Sequence, residues 1–441
     1  MSVVESSQNA APEAFDFPLT DADEHSTPRF GAHAEYMDPD KKHLAITTTR
    51  TEDGKYETLY AGRPARMKLR GSQFQVTFSD DKLEDVGVQG AGGSKDEDEE
   101  DDGSRAFRAP VPGSLLNRLN PLKGMDAQER KDFAKQYREL QPLLDNPADR
   151  LNVMDSQGIQ AAVNYASIVT EYEFEDNFEA LYANQRAENR YLEAEWGFNY
   201  ENRLFTPPVV SMADADAALA EVKELFKVAD PPKVIQLMAG PSVHRSPFRP
   251  ECDPIWSILN EAGTNVCTHL STVTFYGRQG LEWDEEEVML GDMNAFQWMM
   301  YYGDRPAYEM VAAAVLQGIF QRFPNVKLLL SEQGTVWMPY IVRKMDHAFM
   351  MGRKATWGKL EKRPSQYVRD HVLVAPYPEE NVDRVVESVG IEPLAFGSDF
   401  PHGEGLPDPS LYRPQLRNLD DAQTKAIMHN NLARFLGLAE I

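Results

Sequence analysis

The sequence predicts an α/β fold: a (β/α)8 barrel of the TIM type, with a long insertion after strand 1 and a C-terminal helical tail. Three observations lead there. Short apolar runs recur at 161–169, 205–211, 234–238, 266–270, 326–330, 372–375 and 394–396, and an eighth candidate strand lies at 16–25. Amphipathic stretches of helical period separate most of them, at 176–196, 214–228, 308–323, 336–351 and 379–389. Four of the predicted strand ends also carry a carboxylate or an imidazole, and barrels of this kind keep their chemistry at that rim.

Taken in order, strand 1 ends in Asp21-Ala22-Asp23-Glu24-His25. Side chains at i and i+2 of a strand share a face, so Asp23 and His25 can converge while Glu24 points away. An exposed strand would account for this pair equally well. Residues 1–32 then form an N-terminal segment with barrel strand 1, residues 33–125 an insertion or cap, and residues 126–441 the remainder of the barrel. Within the insertion, residues 43–60 suggest a hairpin about Glu52-Asp53-Gly54. Residues 90–105 carry a Gly-rich stretch and seven consecutive acids, Asp96 to Asp102, which cannot bury apolar surface and are expected to be disordered. A helical segment near 126–140 ends the insertion. Residues 277–304, rich in aromatics and methionine, form a second long loop. Tyr276, just before it, and its Trp283, Trp298 and Met299 to Tyr302 are either a roof over a pocket or buried core. The tail at 420–438 is expected to be a helix pair.

The 441 residues hold one barrel of about 250 residues plus insertions. Lysine and arginine number 45 against 70 acids, a net charge of −25. Such a surface repels nucleic acid and anionic membranes, so neither is expected as a partner. Residues 1–17 lack a basic segment followed by an apolar one, and no apolar run is long enough to span a bilayer. Two cysteines, Cys252 and Cys267, make no disulfide framework. A reduced, cytoplasmic enzyme with a small-molecule substrate fits these features, and assembly as a homodimer is compatible with them.

At the predicted rim, Asp23 and His25 close strand 1, His269 strand 5, Glu332 strand 6 and Asp399 strand 8. Two imidazoles with two or three carboxylates suit a divalent cation, Zn, Mn or Fe. No one of these residues is specific alone; their joint placement is. His402, three residues past Asp399, is a candidate proton shuttle. His244 and Arg245, after strand 4, could bind a substrate carboxylate, since arginine offers a bidentate fork; a loop salt bridge would explain them as well. His347, His371 and His429 are expected to be structural.

These residues also resemble a known family, the amidohydrolase-related metal-dependent barrels that include aminocarboxymuconate-semialdehyde decarboxylase. The resemblance rests on Asp21 to His25, Met154-Asp-Ser-Gln-Gly158-Ile, Asp253-Pro-Ile-Trp256 with His269, Phe323-Pro-Asn-Val with Glu332-Gln-Gly and Trp337, Gly397-Ser-Asp-Phe-Pro-His402, and Asn431-Leu-Ala-Arg434-Phe-Leu-Gly437. It implies Asp23, His25, His269 and Asp399 as ligands of one divalent ion or two. It also implies a hydrolase or a non-oxidative decarboxylase acting on a small carboxylated or cyclic organic substrate. Many decarboxylating relatives place a catalytic histidine after strand 6, whereas this chain has Glu332, a further ligand or a general base. Asp399, Glu332 and His402 are then the candidate catalytic groups. The carboxylate-rich set leaves a non-haem iron oxygenase, with one or two irons, as the alternative.

Overall fold

The computed structural model describes residues 13–26, 32–50, 56–65, 111–167, 169–174, 177–243, 245–270, 283–285, 294–296, 299, 304–352 and 360–441. In chain order its strands are β1 (Leu19–His25), β2 (Ile46–Arg50), β3 (Tyr56–Tyr60), β4 (Arg63–Pro64), β5 (Ile159–Tyr165), β6 (Asn199–Tyr200), β7 (Leu204–Phe205), β8 (Val234–Leu237), β9 (Asn265–His269), β10 (Leu328–Ser331) and β11 (Val372–Val374).

All seven residues of β1 are buried, and the barrel extends from it on both sides. β1 pairs in parallel with β5, and β5 with β7. β8, β9, β10 and β11 form a second parallel run. The strand expected over 205–211 is assigned only at Leu204–Phe205, because Pro207 and Pro208 remove two backbone donors. The chain nevertheless continues alongside β8: Gln236 N donates to Pro208 O at 2.8 Å and Val210 N to Gln236 O at 2.9 Å. At the other end, Val374 N donates to Pro393 O at 2.9 Å and Ala395 N to Val374 O at 3.1 Å. Ala22 N then donates to Phe396 O at 2.8 Å, which joins residues 394–396 to β1. Eight parallel segments among the described residues therefore make a ring, a (β/α)8 barrel.

Period-2 alternation sorts its core into two layers. Ala22, Ala161, Val163, Cys267, Leu329 and Ala395 belong to one buried cluster, that of the barrel interior. Their neighbours Ile159, Ala162, Val266, Leu328, Leu330 and Leu394 belong to a larger cluster shared with the surrounding helices.

Helix boundaries follow local chemistry. The helix Pro147–Gln157 starts where the Asn146 side chain accepts from Asp149 N at 2.9 Å and stops at Gly158, whose φ of 74° suits glycine. The helix expected over 308–323 is divided at Gly318, φ 76°, into Asp304–Leu316 and Ile319–Arg322. The expected tail pair is one helical run over 421–436 with its middle turn, Ala426–Asn430, widened to π geometry. There Ile427 O accepts from Phe396 N at 2.9 Å and His429 O from the Thr20 hydroxyl at 3.0 Å, so the turn docks on the strands. No helix among the described residues is long and apolar enough to cross a membrane.

The predicted hairpin is present as antiparallel β2–β3, extended by β4. It docks on the helix Phe178–Tyr191, whose Asn184 accepts from Ile46 N at 2.9 Å and donates to Leu44 O at 2.8 Å. The acidic stretch 90–105 and the hairpin turn lie outside the described residues, as do Tyr276, Trp298 and Met300 to Tyr302. Trp283 and Met299 are exposed, so neither is core.

Beside the hairpin, His33 Nδ1 lies 3.3 Å from Glu188 Oε2, and its Nε2 lies 3.2 Å from Asn184 Oδ1, all three residues buried. Burial pushes Glu188 up to about 8 against Ser167, and pushes His33 down to about 4 against Asn184. The contact is thus a neutral pair near pH 6, Glu188 O–H donating to His33 Nδ1, and not an ion pair. A carboxyl whose folded pKa is raised gives stability that is complete below its unfolded value, about 4.3, and is lost as pH rises through about 8. Glu188→Gln keeps a donor toward His33 and removes the titration. Its melting temperature relative to the native chain should rise between pH 5 and pH 8.5, by on the order of 2–4 °C. A difference that is flat or falling with pH in thermal scans would show that Glu188 is charged in the fold.

Candidate metal centre

A β-bulge in β1 aims the first two candidate ligands. Asp21 pairs with Ala162 and Glu24 with Asn164, so Ala22 and Asp23 together face the one residue between them. The extra residue turns Asp23 and His25 to the inward side that Ala22 also occupies, while Asp21 and Glu24 face outward. Next to this strand, Asp399 N donates to Asp23 O at 2.8 Å and His25 N to Phe400 O at 2.9 Å. Residues 374 and more apart in sequence thus share one rim.

Distances among the side chains are short. His25 Nε2 lies 3.4 Å from Asp23 Oδ1 and 3.2 Å from Asp399 Oδ1. His269 Nε2, from the end of β9, lies 3.4 Å from Asp23 Oδ1 and 3.1 Å from Glu332 Oε2. The structure therefore brings together all five residues expected at the site. His402 joins them: its ring stacks on that of His25 at 4.0 Å, and its Nδ1 is 2.7 Å from Asp399 Oδ1. Two groups have donor atoms mutually within 4.8 Å, Asp23 with His25 and His269, and His25 with Glu332, Asp399 and His402.

Whether a cation fits is decided by the atoms left without hydrogen bonds. Asp23 Oδ1, His25 Nε2, His269 Nε2 and Asp399 Oδ1 are buried and have no directed hydrogen-bond partner. They are one atom from each of the four proposed ligands: those of Asp23 and His269 approach His25 Nε2 as one group, and that of Asp399 approaches it as another. His269 Nδ1 sits 3.0 Å from Leu270 O, so the proton is on Nδ1 and the Nε2 lone pair points inward. Lone-pair nitrogens and carboxylate oxygens are the donor types a divalent ion takes, so the chemistry of the residues present fits one.

Without an ion, the charges at the rim offset one another. Burial pushes the Asp23 carboxyl up, but His25 and His269 outweigh it and hold the group well below the usual carboxylate range. Burial likewise opposes the charged form of Asp399, and His402 and His25 carry it down. His269 and His402 are lowered by burial and raised more strongly by Asp23 and Asp399 respectively, His402 to about 9. Glu332 and Asp399 also hold left-handed backbones, φ 52° and 56°. Such conformations cost on the order of 1–3 kcal/mol for a non-glycine residue and concentrate at functional sites.

The other candidates are placed differently. Arg245 is exposed in the loop after β8, and His244 lies outside the described residues. His371 stacks on Phe320 at 4.7 Å with Nδ1 3.0 Å from Val326 O, a structural contact. Sequence alone does not single out Tyr165. Its ring packs 4.6 Å from that of His269, and its hydroxyl donates to Ser331 Oγ at 2.8 Å, which donates to Ala22 O at 2.7 Å. Its inward place at the end of β5 is the signal that could have marked it.

A profile of the amidohydrolase family matches residues 127–438. No curated protein sequence matches the chain. Among solved structures, an amidohydrolase from Mycobacterium avium subsp. paratuberculosis superposes with a TM-score of 0.75 at 23% identity, covering 97% of this chain and 99% of that one. A manganese-bound 5-carboxyvanillate decarboxylase from Novosphingobium aromaticivorans superposes at 0.52 and 17% identity, covering 74% and 89%. A 2,6-dihydroxybenzoate decarboxylase from Rhizobium gives 0.51 at 16% identity, covering 68% and 92%. At these identities the structural likeness speaks to the fold.

Elemental analysis of the purified protein should find close to one divalent ion per chain, and His25→Ala or Asp399→Ala should each lose it. A native protein that retains no ion at micromolar supply contradicts the assignment.

Proposed function

The chain belongs to the amidohydrolase family, and from that premise we propose that it is a metal-dependent hydrolase or non-oxidative decarboxylase acting on a small carboxylated or cyclic substrate, with hydrolysis favoured. Its general standing as an amidohydrolase-related enzyme follows from the family. The observation that carries the finer reading is the gathering at one rim of Asp23, His25, His269 and Asp399, whose inward atoms lack a directed hydrogen bond. When bound, a divalent cation polarises an oxygen that it holds and lowers its pKa.

The chain's own groups supply the rest. Asp23, His25, His269 and Asp399 hold the ion, and Asp399 accepts a proton from the attacking oxygen nucleophile. Glu332, with Oε2 3.1 Å from His269, stands at the strand-6 position as a second carboxylate. A carboxylate there takes protons more readily than it gives them, which favours hydrolysis over protonation of a substrate carbon. Tyr165 and Ser331 fix the His269 side of the site through their hydroxyl chain. Arg245, exposed in the loop after β8, is proposed to meet a substrate carboxylate.

Decarboxylation is the second reading, and His402 is what favours it. Nδ1 lies 2.7 Å from Asp399 Oδ1 and the ring stacks on that of His25, so an imidazole able to deliver a proton stands beside the proposed ligands. Glu332→Gln separates a base from a ligand at that position. As a base, Glu332 can be lost with metal content retained, and turnover on a panel of amides, esters and hydroxybenzoates should fall by about 10²–10⁴-fold. Metal content falling together with rate would make Glu332 a ligand. Native protein carrying one or two irons, with visible absorption that changes on reduction and oxygen exposure, would overturn both readings in favour of an oxygenase.

A further inference from the structure

The outward side of the β1 bulge carries a second buried charge cluster that the proposed chemistry does not use. Arg150, from the helix Pro147–Gln157, donates through Nη2 to Glu24 Oε2 at 2.8 Å, and both side chains are fully buried. The guanidinium carbon also lies 5.0 Å from the centroid of the Phe400 ring. Glu24 sits between Asp23 and His25, and Phe400 directly follows Asp399. Glu24 and Phe400 form a parallel bridge, flanked by the backbone bonds Asp399 N to Asp23 O and His25 N to Phe400 O. Below them, Asp21 Oδ1 accepts from Asp23 N at 3.0 Å and Ser398 N at 2.9 Å, tying the same two segments. Three of the four proposed ligands therefore stand on backbone whose outer face this cluster holds.

Stability is a poor explanation for the pair. A buried ion pair is often no better than apolar groups of equal volume, and this one is incompletely satisfied. Arg150 Nε and Nη1, and Glu24 Oε1, have no hydrogen-bond partner among the described residues. What the pair does have is position. One planar cation touches the strand that carries Asp23 and His25 and the turn that carries Asp399, whose left-handed φ of 56° must be held by its surroundings.

We propose that Glu24 and Arg150 form a positioning clamp for the metal ligands, setting the spacing of Asp23 and His25 from Asp399. This rests on the metal-site reading above, and it assigns both residues a role outside the ligand set. Groups that orient ligands without touching the ion commonly change metal affinity about 10–100-fold when removed.

The test compares native protein with the double variant Glu24→Leu/Arg150→Met and with Arg150→Lys. The readouts are the Kd for Zn²⁺ or Mn²⁺, by competition with a chromophoric chelator, and the melting temperature of the metal-free protein. The double variant should melt at or above the native temperature while binding the ion about 10–100-fold more weakly. Arg150→Lys keeps the charge but not the planar fork over Phe400, and should weaken binding about tenfold. Native affinity in a folded double variant overturns the clamp, as does weaker binding that only tracks a fall in metal-free melting temperature. Should the double variant not fold, unchanged affinity in Arg150→Lys overturns it alone. A native protein that binds no ion overturns the metal-site reading and the clamp together, and so is distinguished from failure of the clamp only.

Discussion

The structure depends on the seam between its first strand and its last. Ala22, Asp23, His25 and Glu24 meet residues 396–400 through backbone bonds, and this contact closes the barrel. The same contact sets Asp399 beside Asp23 and His25. Fold closure and site assembly are one event here, because the residues that complete the ring are adjacent to those that would bind the ion. The bulge at Ala22 and Asp23 makes this workable. Regular alternation would aim Asp23 out of the barrel; one extra residue corrects that, and the pairing of β1 with β5 resumes at Glu24 and Asn164.

Electrostatics then constrain what can occupy the rim. Asp23, Glu332 and Asp399 are buried within reach of His25 and His269. Like charges so placed are costly to desolvate and are retained only when paired or coordinated. The imidazoles offset part of this, yet the inward atoms of both remain without directed hydrogen bonds. A divalent cation resolves the excess of acceptors. His402 adds a half-buried imidazole, stacked on His25, that links the site to solvent.

Much of this is legible in the sequence. The apolar runs and helical periods suffice for the barrel, because parallel strands buried on both faces leave an unmistakable pattern. Asp23, His25, His269, Glu332 and Asp399 are legible because each ends such a run. Other features are not. The short β7 follows from Pro207 and Pro208, whose bonding to β8 is set by tertiary contact. Arg150 looks like any polar residue of an amphipathic helix, and Glu24 like the solvent-facing partner of its neighbours. Only the packing of the helix onto the seam buries both. Tyr165, His33 and Glu188 are hidden for the same reason, since burial of a polar side chain is a property of the assembled layers.

The central claim is that Asp23, His25, His269 and Asp399 bind one divalent cation. The most direct measurement is anomalous diffraction at the metal edge from crystals of the native protein grown with Zn²⁺ or Mn²⁺. The account predicts a dominant peak about 2.0–2.3 Å from Asp23 Oδ1, His25 Nε2, His269 Nε2 and Asp399 Oδ1. No peak among these four atoms at saturating metal, or a dominant peak elsewhere in the molecule, would contradict it.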